Sequence, residues 1–352
     1  MPSRPERWLR DRYDLDTIGR VTVRKPVPLH RHSIWYLTGG LTLFLFVIQI
    51  VTGLALSFFY RPTEDGAHES ILFITTEADF GWLVRSIHVW GANLLLGSVF
   101  FHMAAVFFLR AYRRPRELTW LTGAALLLVM MGFGFSGSLL PWDTFAFFAT
   151  RVGTEVMRAA PVLGAFALRL LRGGEEITGA TLTRFYALHV ILLPLAGVLL
   201  VVIHLVLVQM HGMSTPGNRT ARGTAPFFPH FFLRDMVVWV IAFGALVTLA
   251  LLKPEGLGEK ANALSPAPAG IRPEWYFLFL FQMLRLMPGH LGGIPGEMIV
   301  VGVTTVLGAA WLLWPFIDRA EDRRPRYVTA LGIIALVAFL FLTVMAHVTT
   351  RV

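Results

Sequence analysis

The chain has 352 residues, 55% hydrophobic and only 15% charged, which excludes an ordinary water-soluble domain and predicts an integral membrane protein. A net charge of +9 could suit nucleic acid, but the arginines cluster beside apolar runs, where membrane orientation and anionic headgroups account for them, so no nucleic-acid partner is expected. With no cysteine, the chain holds no disulfide, no thiolate-ligated iron–sulfur cluster and no thioether-attached haem, leaving nitrogen or oxygen ligands for any cofactor.

Residues 1–32 place Arg4, Arg7, Arg10 and Arg12 around Trp8, Leu9 and Tyr13, which reads as a cytoplasmic basic, interfacial helix, the alternative being a disordered tail. No apolar stretch with a cleavage signal opens the chain, so no removable signal peptide is expected. Apolar runs follow at 34–59, 82–109, 118–140, 185–210, 235–252, 297–316 and 327–348. They predict an all-α membrane protein with seven transmembrane helices, a four-helix part at 33–215 and a three-helix part at 216–352.

Arginine-rich connections at 110–117, 211–234 and 317–326 contrast with the acidic 61–81 loop. The positive-inside rule puts the N-terminus in the cytoplasm and the C-terminus outside. Residues 141–184 contain no full span yet carry Phe145, Phe147, Phe148, Val162, Leu163 and Leu170. They read as surface helices broken by Pro161 and by Gly173 with Gly174. Residues 253–296 start with a Pro/Ala/Gly-rich tract and continue into an apolar run from Trp275 to Met287, predicted as a short helix.

Two predicted spans carry paired histidines, His88 with His102 and His189 with His204. An ionisable side chain in a span is costly, so it points to function; the structural alternative is a hydrogen bond to a neighbouring helix. The fourteen-residue step from His88 to His102 falls roughly 40° short of four turns and rises about 21 Å, whereas the fifteen-residue step from His189 to His204 overshoots by about 60°. Each helix therefore shows an imidazole near either side of the membrane. Orientation pairs His88 with His189 outside and His102 with His204 inside. Zinc fits poorly with two imidazoles and no nearby acid or thiol. Haem fits, because two imidazoles fill both axial positions of an iron that then passes electrons.

Gly39 and Gly53 are fourteen residues apart, as are Gly123 and Gly137, an interval that suits a flat ligand approaching the backbone; ordinary helix packing is the alternative. Arg85, one turn before His88, suits the propionates of an outer haem. Arg110 and Trp120 are candidates at the inner end, with interfacial anchoring as their alternative. Pro273, Glu274, Trp275 and Tyr276 stand where the long outer loop meets an apolar helix. A buried Glu274 would accept and pass a proton; otherwise it complements a helix dipole.

Taken together, the histidine and glycine pairs, the stretch Gly137 to Asp143, Thr181 to His189 and the Pro-Glu-Trp-Tyr segment resemble cytochrome b of the quinol-oxidising cytochrome bc complexes from about Thr22 onward. The fifteen-residue histidine interval, Pro115 to Trp120 and Asp143 look like the chloroplast-type form, which is usually split into two polypeptides. Phe227 to Asp235 looks more like the mitochondrial and proteobacterial type. The resemblance implies that His88 and His189 ligate an outer haem b, and His102 and His204 an inner one. Glu274 would take a proton from quinol outside, with Pro273, Trp275 and Tyr276 shaping the pocket. Asp235 would protonate quinone inside, with Arg234 and His211 nearby. It further implies a Rieske-type iron–sulfur protein, a c-type cytochrome and a homodimeric complex in the bacterial inner membrane. The alternative is a dihaem b anchor of a dehydrogenase or hydrogenase with a single quinone site. Leu37 stands where the chloroplast type has a cysteine, so no haem c is covalently attached, and Val89 and Ala105 replace arginines of that type.

Overall fold

The computed structural model describes residues 25–30, 32–160, 163–215, 223–318 and 326–349. The interfacial helix expected in residues 1–32 and the break expected at Pro161 fall almost wholly outside them. Strand β1 (Pro26–Pro28) precedes α1 (Leu37–Ser57), α2 (Gly66–Thr76), α3 (Gly81–Phe108) and α4 (Glu117–Ser138). Helices α5 (Thr144–Arg158) and α6 (Gly164–Arg172) lead into the long α7 (Gly179–His211). Strand β2 (Thr224–Pro226), α8 (Phe232–Leu252) and α9 (Leu278–Leu286) follow, then α10 (Gly296–Leu312), the short α11 (Trp314–Ile317) and α12 (Arg326–Thr349).

Six helices among the described residues are long and apolar enough to cross a membrane. The seventh expected span, 297–316, is shorter than predicted, because α10 ends at Leu312 and Pro315 opens α11. Proline has no N–H, so it cannot bond the carbonyl of Trp311. Trp120 Nε1 instead donates toward the carbonyls of Trp311 and Leu312, at 3.3 and 3.1 Å. Trp120 is therefore buried with its indole N–H committed to the end of α10, which leaves no donor for the propionate role expected of it.

The acidic 61–81 loop also departs from expectation, since it contains α2. Ala67, Ile71 and Ile74 recur at helical spacing and are buried together, giving a one-sided helix too short to register as a span. The surface helices of 141–184 form as expected. Asp143 caps α5 by accepting from the Ala146 N–H at 2.8 Å, and Gly173 ends α6 at φ 81°, a left-handed conformation that glycine adopts without Cβ strain. Buried Arg172 ties the two helices together through Thr154 and Glu155.

Most of the core is one cluster running between α1, α3 and α4, including Leu45, Leu95, Leu127 and Met130, with Leu246 from α8 and Tyr276 before α9. Leu195, Leu199, Leu340 and Phe341 on α7 and α12 are exposed, as side chains facing lipid would be. Hydrogen bonds sort the connections into two groups. On one side β1 pairs with β2, Lys25 bonds the Val208 carbonyl, Arg116 bonds the His211 carbonyl and Tyr112 bonds Asp318. On the other, Tyr60 bonds the Leu140 carbonyl, His68 the Gly258 carbonyl, and Arg85 the carbonyls of Glu255 and Gly256. The arginine-rich connections all fall in the first group.

Candidate functional site

The four span histidines meet two by two. His88 on α3 and His189 on α7 lie with ring centroids 6.3 Å apart and planes at 76°, and His102 lies within electrostatic range of His204. The expected pairing therefore holds in space. The extra residue between His189 and His204 is absorbed locally. Leu188–Leu192 forms a π-helical turn inside α7, immediately before Pro194, whose missing N–H frees a carbonyl and widens the helix. The 60° overshoot expected of a uniform α-helix does not persist through such a turn.

Each imidazole edge lies against one of the four glycines. A Cβ on Gly39 would stand 3.3 Å from His102 Cε1, on Gly53 3.2 Å from His88 Cε1, on Gly123 3.2 Å from His204 Cε1 and on Gly137 2.7 Å from His189 Cε1. The four glycines thus keep the helix backbone clear beside the four rings, at the interval read in the sequence. The residue before each glycine is a hydroxyl bonded to the same ring at Nδ1. Thr38 reaches His102 at 2.9 Å, Thr52 reaches His88 at 2.8 Å, Thr122 reaches His204 at 3.0 Å and Ser136 reaches His189 at 3.0 Å. Nε2 of each ring makes no hydrogen bond among the described residues. These hydroxyls were missed in the sequence, though a Thr/Ser-Gly dipeptide occurring twice at a fourteen-residue interval, on two helices, was the available signal.

The Pro-Glu-Trp-Tyr segment docks beside the first histidine pair. Trp275 Nε1 donates to Asn93 Oδ1 at 2.9 Å, five residues past His88 on α3. Tyr276 is buried with its hydroxyl against Gly134, three residues before Gly137 on α4. Glu274 sits just before this anchored turn and is exposed as a whole residue, a departure from the buried position expected of it. Partial desolvation of its carboxyl and the negative charge of Glu255 push its pKa up, against the pull of Arg272. Arg85, expected on a propionate, has both terminal nitrogens on the carbonyls of Glu255 and Gly256 at 2.8 Å. It straps the long loop over α3.

Asp235 on α8 is buried with Oδ1 lacking a hydrogen-bond partner among the described residues. It packs on Gly40, where a Cβ would stand 2.6 Å from Oδ1. Gly40 adjoins Gly39, which faces His102. The carboxylate thus lies beside the second histidine pair. Arg234 is exposed. His211 ends α7 with Nδ1 buried and without a partner among the described residues, and its carbonyl accepts from Arg116 at 3.1 Å.

Two family descriptions match the chain, Cytochrome b/b6/petB over residues 22–212 and Cytochrome b(C-terminal)/b6/petD over residues 260–351. A cytochrome bc complex cytochrome b subunit from Chlorobaculum thiosulfatiphilum is 48% identical over 342 residues, covering 95% of this chain and 78% of that protein. Cytochrome b6 from Heliobacterium mobile is 41% identical over 212 residues, which is 59% of this chain and 99% of that protein. Among solved structures, a chain described as hyperthermophilic respiratory Complex III aligns with a TM-score of 0.84 at 30% identity, over 97% of this chain and 91% of that one. Facing histidines on glycine-bearing helices and a likeness that runs through both parts of the chain lead to one conclusion: the chain belongs to the cytochrome b/b6 family.

Proposed function

We propose that the chain is the cytochrome b subunit of a quinol-oxidising cytochrome bc complex, a quinol:cytochrome c or plastocyanin-like carrier oxidoreductase. The observation that carries this reading is the 6.3 Å between the His88 and His189 ring centroids. Two metal–imidazole bonds of about 2 Å, with the distance from nitrogen to ring centre added at both ends, require roughly this separation. The residues therefore fit a haem b between His88 and His189, and the same hydroxyl–glycine cradles fit a second between His102 and His204. His88 with His189, and His102 with His204, would hold the group, which when bound would supply one-electron transfer.

The chain's own groups handle protons at two ends. Glu274, its pKa raised, takes a proton from quinol at a site shaped by Pro273, Trp275 and Tyr276. A carboxylate with a pKa nearer neutral is a better-matched base than an ordinary one. Asp235 supplies a proton to quinone on the opposite side, with His211 and Arg234 in support. Charge asymmetry supports a reading with the Glu274 side outside and the Asp235 side, with the N-terminus, in the cytoplasm of a bacterial inner membrane. Proton release outside and uptake inside charge the membrane. In this reading residues 33–215 form the dihaem unit and 216–352 the three-helix unit with the Glu274 segment. A Rieske-type iron–sulfur protein and a c-type cytochrome complete the reaction, in a complex that is a homodimer. A reduced-minus-oxidised spectrum of the purified protein tests this reading: two haem b per chain are expected, and a preparation without haem b would sink it.

A further inference from the structure

The hydroxyls beside the four histidines repeat one arrangement. Each directs its hydrogen at a backbone carbonyl three or four residues back: Thr38 at Trp35 (2.7 Å), Thr52 at Ile48 (2.7 Å), Thr122 at Leu118 (3.0 Å) and Ser136 at Gly132 (2.7 Å). A hydroxyl has one hydrogen. Turning it toward the imidazole would leave two oxygens facing each other, lone pair to lone pair, at those same distances. Toward the ring each hydroxyl therefore accepts, and Nδ1 carries the proton. Nε2 is then the nitrogen with a free lone pair, which is the form that binds a metal. Threonine and serine in membrane helices commonly bond a carbonyl one turn back, but that habit alone does not place four of them on Nδ1 of four paired rings.

We propose that Thr38, Thr52, Thr122 and Ser136 are positioning residues that lock the imidazoles in the Nδ1–H tautomer with Nε2 free. This inference rests on the haem-ligand reading above. An Nδ1–H···O bond raises the basicity of a ligating imidazole, and a more basic ligand favours oxidised iron. Losing the bond raises the reduction potential.

Thr52 and Ser136 serve the two ligands of one haem, so they can be compared directly. Thr52→Val, Thr52→Ser and Ser136→Ala, made in the full chain within its complex, are read by haem b per chain, by the low-spin ferric resonance and by redox titration of the outer haem. Thr52→Val is expected to raise the reduced-to-oxidised ratio at fixed ambient potential about tenfold, roughly 59 mV for one electron, with a changed resonance. Thr52→Ser restores wild-type behaviour, and Ser136→Ala shifts the ratio in the same direction as Thr52→Val. A Thr52→Val protein with wild-type potential and resonance would overturn the tautomer lock. If Thr52→Val does not assemble, Thr38→Val and Thr122→Val make the same test on the inner haem, with the same outcomes deciding. A wild-type protein lacking haem b would overturn the functional reading instead.

Discussion

At one side of the molecule a carboxylate stands outside the spans, just before a short helix anchored through Trp275 to Asn93 and through Tyr276 to Gly134. At the other, Asp235 lies inside a span, buried, with an oxygen that bonds nothing among the described residues. Glu274 has an open face and charged neighbours of both signs, Glu255 and Arg272. Asp235 has a glycine backbone. The difference separates two ways of keeping a carboxyl group in a membrane protein. The first sets it among charged neighbours on a held loop; the second packs it against a glycine inside a span.

The strongest test of whether the ends are independent is His189→Leu. It should abolish turnover and lower the haem-to-protein ratio from two to one, the remaining haem titrating as the inner one. Loss of both haems would mean that the two cradles form only together. Next, Glu274→Gln should slow quinol oxidation by about 10²-fold with both haems retained, in line with the usual contribution of a positioned base. The pH dependence has a definite sign. Glu274 must be deprotonated to accept a proton, and its raised pKa moves the acid limb of the rate profile above the ordinary glutamate value of about 4.3. The rate falls as pH drops through that limb, and the limb vanishes in Glu274→Gln. An unchanged rate would favour a dihaem anchor with one quinone site.

Gly40→Ala sharpens the comparison from the inner end. Its Cβ would stand 2.6 Å from Asp235 Oδ1 and displace the carboxylate. Overpacking of this kind costs about 1–3 kcal/mol, so quinone reduction should fall about tenfold while quinol oxidation in a single turnover stays near wild type. The smallest effect on chemistry is expected from Asp318→Asn. Asp318 is buried and accepts from Tyr112 at 2.6 Å and from Arg113 at 3.1 Å. Arg113 is partly exposed, so the loss is a fraction of that for a fully buried pair. A drop of about 5 °C in unfolding temperature with unchanged turnover is expected.

The histidines were legible because an imidazole in an apolar run of membrane length stands out against its surroundings. The glycines were legible by their interval, but not by their partner, since the same gap suits any flat group. Threonine and serine are ordinary in membrane helices, so Thr52 or Ser136 carries no signal until its ring is in place. Pro194, five residues past His189, was the visible trace of the π turn, yet proline also sits in membrane helices without one. Arg85 shows what sequence proximity conceals: its partners, Glu255 and Gly256, lie some 170 residues away. Helix α2 was hidden by its acids, which read as loop until Ala67, Ile71 and Ile74 are seen on one face.

The network of Tyr112 and Arg113 on Asp318, with Trp314 donating to the Tyr112 hydroxyl, bears on how the chain could be divided. Together with Trp120 on the end of α10, β1 on β2 and Arg85 on the 255–256 backbone, it stitches the two parts of the molecule at both membrane faces. The peptide linkage near residue 216 is then one tie among several. A gene cut there would yield two fragments with matched, prebuilt fastenings, and reassembly would be set by these noncovalent ties and not by continuity of the backbone.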